Sequence, residues 1–278
     1  MKIQYLGTGA AEGWPAVFCG CENCRRAREA KGKNLRSRQQ ALIDDTLLMD
    51  FGPDTYFHIL KYGLDFSGLR YCLLTHAHTD HFYPQEMMYR GEPYGHELDG
   101  TKLNVYGDEK CQWLFLQMLF TEDDSRNLRS RYAFHLVKAF DRFAVGDYQV
   151  TALPANHDPK EDCLFYSVQA KDGKRYLYAH DTGYFTEDAW KALEGVRYDC
   201  VSLDGTLGKD PWIGRGHMGL AADRKTAERM REIGCVDQNT KIILSHFSHN
   251  GALLQDELEE QTKDDGFVIA WDGMTVEI

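Results

Sequence analysis

Thr75-His76-Ala77-His78-Thr79-Asp80-His81 gathers three imidazoles and a carboxylate into seven positions. Imidazole nitrogens and carboxylate oxygens are common protein ligands for divalent ions such as zinc and manganese. Burying four such groups together is costly unless an ion satisfies them, so the heptad reads as a metal-binding loop. Tyr71-Cys72-Leu73-Leu74 just before it is a short apolar run of the kind that forms a buried strand. A tight loop leaving a strand tip points its side chains in different directions. His76 and His78 can therefore serve one ion while Asp80 and His81 turn toward a second.

Two ions need more ligands than one heptad supplies, and the chain repeats the same setting downstream. His157 follows the strand-like Tyr148-Gln149-Val150-Thr151 through Leu153-Pro154-Ala155-Asn156. Asp181 ends Tyr176-Leu177-Tyr178-Ala179-His180, and His246 follows Lys241-Ile242-Ile243-Leu244-Ser245. Each ligand-type residue thus comes where a strand would deliver it to one rim of a sheet. Alternation sends His180 to the opposite face from Asp181, and we read it as structural. His58, His96 and His135 have no patterned partners and receive no chemical role.

This succession, H-x-H-x-D-H, then a strand-end His, then Asp181-Thr182-Gly183, then a strand-end His, resembles the metallo-β-lactamase superfamily. The resemblance runs from Leu6-Gly7-Thr8-Gly9 to Met274-Thr275-Val276-Glu277-Ile278. It implies a four-layer αββα sandwich of the α/β class with a dinuclear site. His76, His78 and His157 would hold one divalent ion, manganese or zinc, and Asp80, His81 and His246 the other. Asp181 would bridge the two, a role that suits a carboxylate because it has two oxygens to offer.

Cys19, Cys21 and Cys24 form a second cluster, C-x-C-x-x-C, in a loop flanked by Gly13-Trp14-Pro15 and containing Gly20. Three close thiols suggest one structural zinc, whose tetrahedral shell asks for a fourth ligand. His249, three residues beyond His246, is the candidate. Leu6-Gly7-Thr8-Gly9-Ala10, the cysteine triplet, Ser245-His246-Phe247-Ser248-His249 and Trp271-Asp272-Gly273-Met274 resemble the phosphoribosyl cyclic phosphodiesterase family of the carbon–phosphorus lyase pathway. In that family the second His of the H-x-x-H pair completes the structural zinc site, which is the role implied for His249.

Trp212-Ile213-Gly214-Arg215-Gly216-His217 is a Gly-rich loop feeding an expected helix. The resemblance places a catalytic His in this segment, making His217 the candidate general acid, a role typically worth about 10²–10⁴-fold. Arg215 is a further candidate phosphate contact. The implied chemistry is phosphodiester hydrolysis. A hydroxide held between two ions about 3.5–4 Å apart would attack phosphorus in line, and His217 would protonate the departing sugar oxygen. The implied substrate is a small cyclic sugar phosphate of the 5-phosphoribosyl 1,2-cyclic phosphate type. Three rivals remain. A ribonuclease Z-like enzyme would carry a Gly/Pro-rich exosite arm, which the chain lacks. A thioester or lactam hydrolase has no need of the cysteine triplet. A non-hydrolytic member of the pyrroloquinoline quinone pathway type would have a degraded H-x-H-x-D-H, whereas it is intact here.

Length and composition accord with a single domain over residues 1–278, its N-terminal zinc loop spanning 19–24. Hydrophobic residues make up 43% and aromatics 12% of the chain, enough for a sizeable core. The net charge of −11, from 32 basic and 43 acidic residues, disfavours nucleic acid as partner. The one dense basic run, Arg25 to Arg38, reads as a solvated helix and loop. No window reaches the ~20 apolar residues of a membrane span, and Met1-Lys2-Ile3-Gln4-Tyr5-Leu6 reads as a strand rather than a leader. Eight cysteines in 278 residues do not make a secreted disulfide framework. A cytoplasmic location is the expectation. A homodimer is compatible with the resemblance, in which dimers are frequent.

Strands are expected near 2–7, 41–51, 71–75, 102–107, 133–139, 147–154, 163–170, 174–180, 199–204, 241–246 and 267–277. Helices are expected near 54–62, 109–119, 186–194, 219–233 and 252–261. Residues 83–100, the least regular stretch, follow the metal heptad and are expected to overhang the site and shape substrate choice.

Overall fold

Most strand segments of this chain are continuous apolar runs, the pattern of strands buried on both faces. The computed structural model, which describes residues 1–98, 100–122 and 127–278, shows two seven-stranded mixed sheets stacked face to face with helices outside. The first sheet has the order β14 (Thr275–Glu277), β1 (Lys2–Gly7), β2 (Gln40–Ile43), β3 (Leu47–Met49), β4 (Tyr71–Leu73), β5 (Leu103–Gly107), β6 (Tyr132–Leu136). The second has the order β13 (Phe267–Ile269), β12 (Lys241–Ser245), β11 (Cys200–Asp204), β10 (Arg175–Ala179), β9 (Leu164–Gln169), β8 (Tyr148–Pro154), β7 (Arg142–Val145).

Period-two alternation divides the strand residues between two kinds of core. Ile3, Tyr5, Ile43, Met49 and Leu73 of the first sheet meet Val150, Tyr166, Tyr176, Tyr178 and Ile243 of the second in the inter-sheet layer. Their neighbours face outward. Leu42, Leu48, Cys72 and Val105 pack with Phe115, Met118 and Leu119 of α3 (Glu109–Glu122). Leu177, Val201, Leu203, Ile242 and Leu244 pack against α5 (Glu187–Leu193), α6 (Leu220–Glu232) and α7 (Gln255–Thr262). This is the expected αββα sandwich.

The sheets bring several strand ends to one rim. β3 and β4 run parallel, and β10, β11 and β12 run parallel. β8 pairs antiparallel with β9 and β9 antiparallel with β10, so β8 points the same way as β10. The residues that follow these strands all emerge at that rim.

Three expectations are corrected. The expected strand 41–51 is a hairpin of β2 and β3, turned by Asp44 and Asp45, both with positive φ (48° and 57°). The expected strand 267–277 divides between the sheets, with β13 in one and β14 in the other, because the chain crosses over through Ala270 to Met274. β7, α1 (Glu22–Ala30) and the short α4 (Leu128–Arg131) complete the described strands and α-helices, together with α2 (Thr55–Tyr62), which falls where expected. Within the basic run Arg36 is not solvated. It is buried, donating to Thr8 Oγ1, the Ala270 carbonyl and Gln255 Oε1 at 2.6–2.8 Å, and burial lowers its pKa to about 10. Among the described residues no helix is long and apolar enough to cross a membrane.

Ile243 sits fully buried in the inter-sheet layer, three residues before His246. Ile243→Ala is expected to cost about 2–5 kcal/mol through lost burial and the cavity left behind, read as a lower urea midpoint with unchanged m-value.

Candidate metal centre

The rim gathers every ligand-type residue that the sequence pattern singles out for the dinuclear site. His76, His78 and His157 form one convergent group, and Asp80, His81 and His246 another. Asp181 lies between them. Its Oδ2 is 2.7 Å from His81 Nε2 and 2.9 Å from His246 Nε2, while its Oδ1 faces His157 Nε2 at 3.7 Å. Asp80 Oδ2 is 3.1 Å from His81 Nε2. Asp181 and His246 take left-handed φ of 49° and 63°, as does Asp50 at 65°. Left-handed backbone is unfavourable for non-glycine residues and concentrates at functional sites. Here it turns the chain sharply off β3, β10 and β12 so that the side chains look across the rim.

The tautomer of each histidine follows from its outward partner. His81 Nδ1 donates to Asp50 Oδ2 at 2.8 Å, leaving Nε2 bare toward the centre. Thr75 Oγ1 gives its proton to Asp50 Oδ1, so it accepts from His76 Nδ1 at 3.0 Å. Thr206 Oγ1 gives its proton to the His246 carbonyl and accepts from His246 Nδ1 at 2.7 Å. His157 Nδ1 donates to the Gly216 carbonyl at 2.9 Å. His78 is turned the other way. Its Nε2 faces Asp158 Oδ2 at 3.4 Å and its Nδ1 faces inward. All five rings are thus oriented from outside, each with one lone pair directed at the centre, the arrangement of metal-ligating histidines.

The spacing fits ions. Two imidazole nitrogens at neighbouring corners of a tetrahedron with ~2.0–2.1 Å bonds lie about 3.3 Å apart. His78 Nδ1 and His157 Nε2 are 3.2 Å apart, and His81 Nε2 and His246 Nε2 are 3.3 Å apart. The buried His76 Nε2 has no hydrogen-bond partner. Burial holds the pKa of His76 well below the usual imidazole range and lowers that of His157. Burial would lower His246 too, but Asp181 outweighs it and raises the pKa to about 10. The buried Asp181 is in turn held ionised by His246 and His81. A buried carboxylate pair thus demands positive charge from whatever occupies this centre.

His217 joins the same pocket. Its Nδ1 donates to Asp204 Oδ2 at 2.9 Å, and Asp204 Oδ1 is fixed by the backbone N–H of Thr206 at 2.9 Å. Burial lowers the His217 pKa, but Asp204 outweighs it and the net shift is upward. The loop carrying His217 lies directly on Gly183: a Cβ there would be 1.7 Å from the Gly214 carbonyl oxygen, and Tyr184 N donates to that oxygen at 2.9 Å. The pocket, about 290 Å³, is lined by His78, Asp80, His157, Asp181, His217 and His246, with Ala10, Ala11, Glu12, Thr206, Leu207, Ser248 and Asn250 at its walls.

The cysteine cluster also converges. Cys19, Cys21, Cys24 and His249 bring one ligand atom each within 4.8 Å of one another. His249 Nδ1 is 3.4 Å from Cys21 Sγ and 3.9 Å from Cys19 Sγ. A tetrahedral zinc with Zn–S near 2.3 Å and Zn–N near 2.0–2.1 Å would place S and N about 3.6 Å apart. The Cys21 thiol is lowered to about 6, first by the backbone N–H of Cys24, whereas burial pushes Cys24 up to about 11. No disulfide forms among the eight cysteines.

Other expected positions fall elsewhere. Arg215 is exposed and outside the pocket lining, its carbonyl receiving Trp212 Nε1. His180 points away from the centre, its Nε2 2.6 Å from Ser202 Oγ. None of the described residues of segment 83–100 lines the pocket. Met87 of Pro84–Arg90 is buried against α3, and Tyr132 Oη of β6 donates to the Met87 carbonyl, so the segment is tied to that helix and that strand. Residue 99 of this segment lies outside the described residues. Asp50, Asp204 and Thr206 are functional positions beyond the sequence reading. Asp50 and Asp204 each end an apolar run, the same signal that marks Asp181.

The fold and site define a sandwich with a rim-borne, His/Asp-rich centre. A domain described as the beta-lactamase superfamily domain matches residues 46–247, and the chain belongs to the metallo-β-lactamase superfamily. Coenzyme PQQ synthesis protein B from Azoarcus sp. (strain BH72) is 22% identical over 323 residues, covering 100% of each chain. A crystal structure described as a new diphosphatase from the PhnP family aligns with TM-score 0.74 at 21% identity, over 100% of this chain and 98% of that one. Human tRNase Z, short form, aligns with TM-score 0.68 at 17% identity, over 100% and 99%.

Asp50 accepts from His81 Nδ1, from Thr75 and, at 3.1 Å, from Tyr178 Oη. Asp50→Asn removes the anionic acceptor that sets the His81 tautomer. The variant is expected to release metal at roughly 10–100-fold lower chelator concentration than wild type, followed by metal analysis of the dialysed protein.

Proposed function

We propose that this protein is a metal-dependent phosphodiesterase acting on a small cyclic sugar phosphate. The observation that carries the reading is a set of five outward-anchored histidines converging with Asp80 and Asp181 at one rim, where His78, His157, His246 and Asp181 share a pocket with the carboxylate-backed His217. His76, His78 and His157 would hold one divalent ion, Asp80, His81 and His246 the second, with Asp181 between them. When bound, such ions polarise a phosphoryl oxygen and make a water acidic enough to be a nucleophile near neutral pH.

The chain's own groups do the rest. Asp50, Thr75, Thr206, Asp158 and the Gly216 carbonyl keep the five rings in their ligating orientation. Asp204 holds His217 through Nδ1, so the opposite nitrogen, Nε2, is free to carry a proton. Asp204 also stabilises the imidazolium, keeping a proton available to a leaving alkoxide. The pocket is near the lower end of the ~300–1,000 Å³ range of small-ligand sites, which with a net charge of −11 favours a small phosphodiester over a nucleic acid. The cyclic phosphoribosyl class is supported by the cysteine triplet with His249 and by likeness to the PhnP-family diphosphatase. The PQQ-type relatives support a second, non-hydrolytic reading. The intact ligand set and the poised acid favour hydrolysis.

Leaving-group dependence tests the assignment. An activated bis-aryl phosphodiester needs little protonation, whereas a ribosyl cyclic phosphate departs as a poor alkoxide. His217→Ala is expected to reduce kcat/KM on the cyclic sugar phosphate by about 10²–10⁴-fold and to spare the activated ester. Asp80→Ala is expected to abolish both activities. Both substrates are assayed after reconstitution with manganese or zinc. Equal losses on the two esters for His217→Ala would remove its acid role. A metal-loaded wild type inert on every phosphodiester would overturn the function.

A further inference from the structure

Between the cysteine cluster and the catalytic pocket stands one carboxylate, Glu12. Its Oε1 accepts from Ser248 Oγ at 2.5 Å and lies 3.6 Å from His249 Nε2. The other nitrogen of that ring, Nδ1, is the one facing Cys21 and Cys19. Glu12, Ser248 and Asn250 also line the catalytic pocket beside His217 and His246. The two sites are thus joined through a single side chain and the turn His246–Asn250.

An imidazole that ligates through Nδ1 must carry its proton on Nε2, and that N–H needs an acceptor when little water reaches it. The His249 side chain is only 14% exposed. The anion facing its Nε2 is Glu12, too far at 3.6 Å for a full hydrogen bond but near enough for its charge to favour the protonated nitrogen on that side. Ser248 aims the carboxylate, since its hydroxyl donates to Glu12 while accepting from Asn250 N at 3.0 Å. The loop bearing Glu12 is itself anchored beside the same turn, with Ala10 N donating to the Phe247 carbonyl and Phe247 N to the Thr8 carbonyl.

We propose that Glu12 is the positioning residue of the cysteine cluster, its charge directing His249 Nδ1 toward the sulfurs while its other face forms a wall of the catalytic pocket. The proposal rests on reading Cys19, Cys21, Cys24 and His249 as a metal site. Glu12→Gln keeps the length, the shape and a carbonyl oxygen for Ser248, and removes only the charge. Ser248→Ala does the reverse, removing the hydrogen bond and keeping the charge.

The test is chelator competition on the zinc-loaded full chain, with cobalt(II) replacing zinc in parallel so that sulfur-to-cobalt charge-transfer bands report the cysteine site alone. Glu12→Gln is expected to weaken the cysteine-site metal by roughly 10–100-fold and to alter the cobalt bands, with the second metal pool unchanged. Ser248→Ala is expected to show the smaller loss. Wild-type affinity and spectrum in Glu12→Gln would overturn the positioning role and leave Glu12 as a partner of Ser248 only. A larger loss for Ser248→Ala would assign the effect to the hydrogen bond and also overturn it. A wild type whose cysteines bind no cobalt would overturn the metal reading beneath it, and the proposal with it.

Discussion

Bare nitrogen lone pairs pointed at one another, and at carboxylate oxygens, cannot be buried together without positive charge between them. That constraint organises this protein. His81 and His246 each place Nε2 within 2.9 Å of Asp181 Oδ2, and both have committed Nδ1 to an outward acceptor. Protons can supply the missing charge, as the raised pKa values of these two rings express. Divalent ions supply it with better geometry for five nitrogens at once, so metal binding and proton release are linked at this rim. The outward acceptors matter as much as the ligands. Without Asp50 or Thr206 a ring could flip its tautomer and offer an N–H where a lone pair is required.

The sandwich exists, in functional terms, to hold those outward partners still. Asp50 directly follows β3 of the first sheet, yet it accepts from Tyr178 in β10 of the second as well as from Thr75 and His81. It therefore pins the two sheets together directly beneath the centre. Close backbone approaches do similar work. A Cβ on Gly52 would lie 2.0 Å from the Asp80 carbonyl oxygen, so the heptad can lie against the β3 corner only because that residue is glycine. Gly183 plays the equivalent part for the loop of His217. The chain accepts left-handed φ at Asp50, Asp181 and His246 where the sheet packing around them leaves no alternative.

Much of this was legible in the residues because strand ends announce themselves. An apolar run that stops at a His or Asp marked the heptad, His157, Asp181 and His246, and all of them meet at the rim. Asp50 after Leu47-Leu48-Met49 and Asp204 after Cys200 to Leu203 carry the same mark. A lone Asp at a strand end is common and has no sequence partner, so the pattern does not single either of them out. The Gly216 carbonyl, which orients His157, leaves no side-chain trace at all. The fold was readable at the level of layers but not of strand limits. Strands covered on both faces lose the polar alternation that would reveal a hairpin at Asp44-Asp45 or a change of sheet at Ala270–Met274. Arg36 illustrates the opposite error. Its neighbours are solvated, and only the tertiary fold brings Thr8, Gln255 and the Ala270 carbonyl around its guanidinium.

A shared sandwich leaves the reaction undecided, since function resides in the groups that face the pocket. The floor of this pocket is formed by His78, Asp80, His157, Asp181, His217 and His246. Its walls are Ala10, Ala11 and Glu12 on one side, and Thr206, Leu207, Ser248 and Asn250 on the other. The first wall belongs to the loop that runs on into Cys19, Cys21 and Cys24, and Ser248 and Asn250 flank His249. The cysteine cluster brings these two chain segments together, with His249 Nδ1 3.4 Å from Cys21 Sγ and 3.9 Å from Cys19 Sγ. On the proposed phosphodiesterase reading, selectivity would be set by these wall residues, anchored outside the reacting centre, and reactivity by residues anchored beneath it.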